Sequence, residues 1–124
     1  MRKLRAGLDA SGRSCLVEDL ELAVDMAVAD GMKMGMVHTV DQPAGGPVRN
    51  HLLDWAPGAA VGMHRTETVD NLFVLAGGGD LELEDGLHPF GDDTVIVLTG
   101  EVHGWRMGPD GCRMAVIIVP TAPA

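Results

Sequence analysis

The stretch that decides the fold of this chain is Pro57-Gly58-Ala-Ala-Val-Gly-Met-His64-Arg-Thr66-Glu-Thr-Val-Asp70-Asn-Leu-Phe-Val-Leu-Ala-Gly77. It places a histidine, a threonine and a carboxylate at His64, Thr66 and Asp70. Side chains that lie two or six residues apart fall on the same face of a β-strand. We therefore expect these three side chains to point into one cavity.

A second histidine, His103, lies in the segment Gly100-Glu-Val-His103-Gly-Trp105. Two imidazoles and one carboxylate form a ligand set for a divalent metal. The same groups serve as general acid and base when no metal is present. His64, Asp70 and His103 are therefore candidates both for catalysis and for metal binding, and the sequence alone leaves the two roles open.

Four further residues are candidates for substrate binding. The Thr66 hydroxyl is one, and it also suits a supporting role beside Asp70. Trp55 and Trp105 suit stacking on a flat ligand at a barrel mouth. They equally suit packing in the core, because only 3% of the residues are aromatic and few other rings can fill it. His51 lies in another candidate strand, and its parity is not fixed by the sequence.

The chain of 124 residues predicts a single all-β domain. Short apolar runs are separated by turn signals such as Gly77-Gly-Gly79 and Gly108–Gly111, and the first of these predicts a hairpin turn. Asp80–Glu84 alternates, as a half-exposed strand does, and Thr94–Leu98 is apolar throughout, as a strand buried on both faces is. Asp19–Ala29 suits a helix or a strand, and we prefer a strand because its neighbours are strands.

Composition excludes several function classes. The formal net charge of -9 opposes nucleic-acid binding, which needs Lys and Arg to neutralise phosphates. No apolar run approaches the roughly 20 residues that span a bilayer, so we expect no membrane partner. Two cysteines make no disulfide framework, and the polar start lacks a secretory pattern. We expect a cytoplasmic protein.

The chain resembles the cupin superfamily of small single-domain, RmlC-like β-barrels. The first cupin motif is matched in spacing by Gly58, His64, Asp70 and Gly77. The second is matched by Phe90-Gly91-Asp92, the strand Thr94–Leu98 and Gly100-Glu-Val-His103. The resemblance implies a double-stranded β-helix, or jelly-roll barrel, over residues 1–124. Residues 1–47 would supply N-terminal strands and loops, and residues 48–119 the barrel core with both motifs.

The resemblance also implies a metal site, from which this chain departs twice. Cupin metal sites use three histidines and a glutamate, whereas this chain has Thr66 and Asp70 at two of those positions. Threonine is a poor ligand for these metals, and aspartate is one methylene shorter than glutamate. The expected cofactor is therefore either none or one divalent ion (Fe, Mn, Ni or Zn) on His64, Asp70 and His103.

These expectations lead to one principal hypothesis and two alternatives. The first is an enzyme that acts inside the barrel by acid–base, or metal-assisted, chemistry: a lyase, dehydratase, isomerase or cyclase step of secondary metabolism on an apolar, polyketide-like substrate. The second is a metal-dependent oxygenase or decarboxylase, and the third is a non-catalytic barrel that binds a small ligand. The expected partners are a small-molecule substrate and, as in related small cupins, a second copy in a homodimer.

Overall fold

A computed structural model describes residues 1–23, 25–29, 32–34, 37–38, 46 and 48–121 of the protein. The described residues form β-strands and their connections, which confirms the all-β prediction. The ten strands are β1 (Arg2–Leu8), β2 (Ser14–Glu21), β3 (Met26–Ala29), β4 (Met32–Met34), β5 (Arg49–Trp55), β6 (Ala60–His64), β7 (Thr68–Leu83), β8 (Gly86–Phe90), β9 (Thr94–Leu98) and β10 (His103–Pro120). None of the described segments is a helix with the length and apolar character needed to cross a membrane.

Eight of the strands form one sheet. Its hydrogen-bonded order is β2-β1-β9-β7-β10-β5, while β6 also pairs with β10 and β8 with β7. β1 and β9 are parallel, and the other pairs in this sheet are antiparallel. The two remaining strands, β3 and β4, pair only with each other. This order places the long strand β10 beside both strands of the first motif, β6 and β7.

The core has a large cluster, to which β9 contributes Ile96 and Leu98, and a small separate cluster of Val69, Val97 and Val119. Every residue of Thr94–Leu98 is buried, as its continuous apolar pattern predicts. On β7, Leu81 and Leu83 are buried while their neighbours are partly exposed, which confirms the alternating pattern. Burial of apolar side chains on this scale is the main favourable contribution to folding.

The predicted hairpin turn at Gly77–Gly79 is wrong. All three glycines lie inside β7, which runs unbroken from Thr68 to Leu83. A Cβ atom on Gly79 would lie 2.5 Å from the backbone oxygen of Arg106 on β10. These glycines therefore allow neighbouring backbones to approach closely, which is the other common use of glycine in a strand.

The segment Gly108–Gly111 interrupts the pairing of β10 rather than reversing the chain. Met107 pairs with Gly79 and Cys112 pairs with Gly77, so four residues of β10 stand opposite one of β7. Such an insertion is a large bulge, which bends a strand without ending it. The strand preference over Asp19–Ala29 is correct at both ends, since β2 ends at Glu21 and β3 begins at Met26.

The burial of β9 predicts a large stability effect at its centre. Ile96 is completely buried, so Ile96→Ala is expected to lower the free energy of unfolding by about 2–5 kcal/mol. Leu52→Ala removes a side chain that is 67% exposed and is expected to change it by less than about 0.5 kcal/mol. Urea unfolding of both variants measures the difference, and equal losses would contradict the placement of the core.

Candidate functional site

A cavity of about 200 Å³ lies between the strands that carry the two motifs. We call it the imidazole cavity. Its polar lining consists of His64, Thr66, Asp70 and His103, and its apolar lining consists of Leu53, Trp55, Val61, Leu72, Leu98, Trp105, Val116 and Ile118. The structure thus brings together every predicted site residue except His51.

Strand pairing brings the two histidines together. His64 ends β6, His103 begins β10, and the two are direct partners in the antiparallel register. Directly opposite residues on antiparallel strands project from the same face. Their ring centroids are 4.5 Å apart and the rings are tilted by 57°. The pairing therefore creates a close imidazole pair from residues 39 positions apart in the sequence.

Backbone carbonyl groups fix the orientation of both rings. The Nδ1 atom of His64 lies 2.8 Å from the oxygen of Gly62, and that of His103 lies 2.8 Å from the oxygen of Glu101. A carbonyl oxygen can only accept a hydrogen bond, so each Nδ1 carries the proton and donates it. In the neutral ring this leaves the lone pair on Nε2, where it can accept a proton.

Burial lowers the pKa of His103. Its side chain is 2% exposed, and loss of hydration disfavours the imidazolium form. The nearby His64 lowers the pKa further, while the Glu101 carbonyl and the charges of Asp70 and Glu101 raise it. The net shift is downward from 6.5, so His103 is neutral at pH 7.

Asp70 hydrogen-bonds a threonine rather than an imidazole. Its Oδ1 atom accepts a hydrogen bond of 2.8 Å from the hydroxyl of Thr68, which lies 3.0 Å from the hydroxyl of Thr66. The threonines thus hold the carboxylate at the cavity wall, and its influence on His103 is through charge. Thr68 was missed in the sequence, although it has the same strand parity as Thr66 and Asp70.

The two tryptophans form one wall of the imidazole cavity. Trp105 is 4% exposed and meets Phe90 and His103 edge-on, at centroid distances of 5.9 and 6.0 Å. Trp55 is half-buried, with its ring centroid 6.1 Å from that of Trp105. Trp105 is therefore a core residue that also lines the cavity, and its predicted stacking on a ligand stays a prediction.

His51 does not reach the imidazole cavity. It pairs with Val116 on β10, and alternation puts it on the same face of β5 as Leu53 and Trp55. It is nevertheless exposed, and it is absent from the cavity lining. Its predicted role in substrate binding has no support from this position.

The donor set fits a metal ion poorly. Among the residues that the structure describes, no three His, Cys, Asp or Glu side chains form a group that could hold one. Thr66 contributes a hydroxyl where a third imidazole would be needed, and Asp70 is engaged by Thr68. A divalent ion needs several well-placed donor atoms. Here, among the described residues, the two imidazole rings lie close together and no third donor group joins them.

Comparisons with known proteins find a similar fold among solved structures. No protein-family model and no curated protein matches the chain. Solved structures do match. The polyketide cyclase RemF from Streptomyces resistomycificus aligns with a TM-score of 0.52 and 23% identity over 60% of this chain. An RmlC-like cupin family protein with a double-stranded β-helix fold from Methanocaldococcus jannaschii aligns with a TM-score of 0.52 and 17% identity over 60% of this chain and 71% of its own.

A third match extends over nearly the whole chain. The cupin domain of Cnp3 from Schizosaccharomyces pombe aligns with a TM-score of 0.55 and 10% identity, over 96% of this chain and 87% of its own. By contrast, the chain spans 55% of the length of the polyketide cyclase it matches. At these identities the likeness shows the fold, and it carries no activity from one protein to the other.

Proposed function

Because the chain has the cupin fold, a double-stranded β-helix, we propose that it is an enzyme that moves a proton on a small apolar substrate held inside the barrel. The observation that carries this proposal is the imidazole pair, with ring centroids 4.5 Å apart in a mainly apolar cavity. Apolar pockets with a few convergent polar groups are the usual sites of small-molecule chemistry. His64, His103 and Asp70 would be the residues that carry the reaction.

His103 is the better general base of the two histidines. Its lowered pKa keeps it neutral at pH 7, and its Nε2 atom holds the lone pair. It would remove a proton from a carbon next to a carbonyl group, and the negative charge of Asp70 would stabilise the imidazolium that forms. The proton would then pass to His64, which is less buried, and would return to the substrate from that ring. Protonation of one ring disfavours protonation of the other at this distance, so the pair would carry one extra proton at a time.

This proton transfer is common to several reaction classes. Isomerases move a proton from one side of a carbonyl to the other, and dehydratases and lyases remove a proton before a group departs. Cyclases of the aldol type form a ring from the same carbanion or enol. The geometry supports the shared first step, and the choice among the four classes depends on the substrate.

The size and lining of the imidazole cavity limit the substrate. An apolar cavity of about 150 Å³ holds a benzene molecule, so one of about 200 Å³ holds a substituted single ring. Eight of its twelve lining residues are apolar. A polyketide-like substrate would place one ring or one chain segment inside and leave the rest at the mouth. The polyketide cyclase among the structural matches supports this choice only through its fold.

A metal-dependent oxygenase or decarboxylase is the principal alternative. It would use His64, His103 and Asp70 as ligands for one divalent ion, and the poor fit of the donor set disfavours it. The third possibility is a barrel that binds a small ligand without changing it. Proton exchange separates all three, because only the proposed enzyme exchanges substrate protons without a metal.

Removal of metal ions is therefore expected to leave the activity within about twofold of its starting value, since the proposed base has its full strength without a metal. The measurement is exchange of deuterium from heavy water into small cyclic ketones and diketones, followed by NMR before and after dialysis against a chelator. Return of Fe²⁺, Mn²⁺, Ni²⁺ or Zn²⁺ serves as the control. Loss of exchange with recovery by one of these ions would contradict a base that works without a metal, and absence of exchange throughout would contradict the proposed proton transfer.

The predicted homodimer and the predicted cytoplasmic location stay predictions. A dimer through an edge strand would use β2 or β5, the two ends of the hydrogen-bonded order. Unpaired edges invite pairing with another copy, which is the physical reason for proposing this mode.

A further inference from the structure

A second cavity of about 300 Å³ is separate from the imidazole cavity. Its lining consists of Arg5, Gly7 and Leu8 of β1, Arg65 in the connection after β6, and Thr99–Glu101 between β9 and β10. We call it the arginine cleft. It shares no lining residue with the imidazole cavity. Its two arginines belong to a chain in which 18 acidic residues outnumber 9 basic ones.

Both guanidinium groups have donors to spare. Arg65 is exposed and forms no ion pair with any described residue, in a protein rich in carboxylates. Arg5 contacts one oxygen of Glu18 at 3.3 Å, but the other oxygen of that carboxylate is taken by Lys3 at 2.8 Å. The Nε atom of Arg5 is buried, so a ligand in the cleft would meet the terminal nitrogens of this guanidinium group.

The carboxylate that lines the arginine cleft already accepts hydrogen bonds from a neighbouring residue of the chain. Glu101 is 4% exposed, and its two oxygens accept hydrogen bonds from the backbone nitrogen and the hydroxyl of Thr99. It therefore has little capacity left for Arg5 or Arg65. Its negative charge still offsets part of the positive charge of the arginines, so the lining carries two positive charges and one negative charge. That balance suits a ligand with one negative charge better than one with two.

We propose that the arginine cleft binds the carboxylate group of a small organic acid. Arg65 presents the planar fork of donors that matches a carboxylate, and Arg5 supplies a second positive charge. Gly100, which lines the cleft, has a φ of +100°, a backbone conformation that favours glycine at this point of the loop. None of the residues of the cleft lines the imidazole cavity, and the two sites are joined through Glu101, whose carbonyl oxygen accepts a hydrogen bond from the His103 ring.

The test uses acetate, which is too small and too polar to fill the imidazole cavity. We expect the backbone amide signals of Gly100 and Glu101 to shift saturably as sodium acetate replaces sodium chloride at constant ionic strength, with a dissociation constant on the order of millimolar. Arg65→Ala is expected to weaken binding about tenfold, and Arg65→Lys, which keeps the charge but loses the fork, by less. Arg49→Ala removes the same charge from another exposed arginine outside the cleft and is expected to change nothing.

Three results would overturn the proposal. One is a linear, unsaturable shift, which indicates a general salt effect. Another is equal acetate binding by the Arg65→Ala variant and the unaltered protein, with the amide spectra showing both folded. The third is tighter binding of doubly charged inorganic phosphate than of acetate, which would contradict the preference for a single negative charge. None of these results depends on whether the imidazole cavity exchanges substrate protons.

Discussion

His103→Ala is expected to lower the rate of substrate proton exchange by about 10²- to 10⁴-fold, which is the range that a positioned general base contributes. The variant removes the buried imidazole whose Nε2 atom would receive the proton, and leaves His64 across the strand pair. His64→Ala is expected to lower the exchange rate within the same range, because the proton that His103 removes then has no second ring to pass to. The measurement is the heavy-water exchange assay, at saturating and at low substrate concentration.

Alanine also leaves a void where His103 was, so a second variant separates chemistry from stability. His103→Gln keeps a polar side chain of similar size but offers no base, and it should be equally inactive. His88→Ala is the matched control, because His88 on β8 pairs with Asp85 and lies outside the imidazole cavity. Unchanged exchange in both His103→Gln and His64→Ala would remove the proposed mechanism.

Gly77→Ala is expected to lower the free energy of unfolding by about 2–5 kcal/mol, the sum of a left-handed backbone penalty and an overpacking penalty. Gly77 has a φ of +75°, and a Cβ atom there would collide with the backbone oxygen of Gly111 on β10. Backbone atoms of a paired strand cannot move aside as a flexible side chain can, so the bulge itself would have to shift. Urea unfolding monitored by circular dichroism gives the change.

Alanine variants of two other glycines allow the backbone penalty and the overpacking penalty to be measured separately. Gly58 has a φ of +68° and open space around it, so Gly58→Ala should show the backbone penalty of about 1–2 kcal/mol alone. Gly62 has neither a positive φ nor a neighbour within 4 Å, so Gly62→Ala should change the free energy of unfolding by no more than about 0.5 kcal/mol. A loss at Gly77 no larger than that at Gly58 would contradict the close approach of β7 and β10.

Strand parity predicted the polar side of the imidazole cavity only in part. His64 ends β6 and Asp70 lies on β7, but Thr66 lies in the connection between these strands, where alternation does not apply. Parity could not predict the pairing of His64 with His103, because the register between distant strands is set by turns and bulges that no local sequence pattern specifies. The resemblance to the second cupin motif supplied that link.

The conformational freedom of glycine explains the main error in the predicted fold, the hairpin turn at Gly77–Gly79. Three consecutive glycines favour a tight turn, and they equally permit a strand to pass close to another backbone. Only the position of β10 against Gly77–Gly79 distinguishes the two uses, and that position is a property of the folded chain. The role of Thr68 was hidden for a similar reason, since a threonine in a strand is ordinary until a carboxylate is found beside its hydroxyl.

The titration of the His103 ring by nitrogen-15 NMR tests the account most directly. If burial and the neighbouring imidazole hold its pKa below 6.5, the ring is mostly neutral at pH 6.5, with the proton on Nδ1 and the lone pair on Nε2. It then gains a second proton only as the pH falls further. A ring that is mostly charged at pH 6.5, or whose neutral form carries its proton on Nε2, would contradict its role as the base.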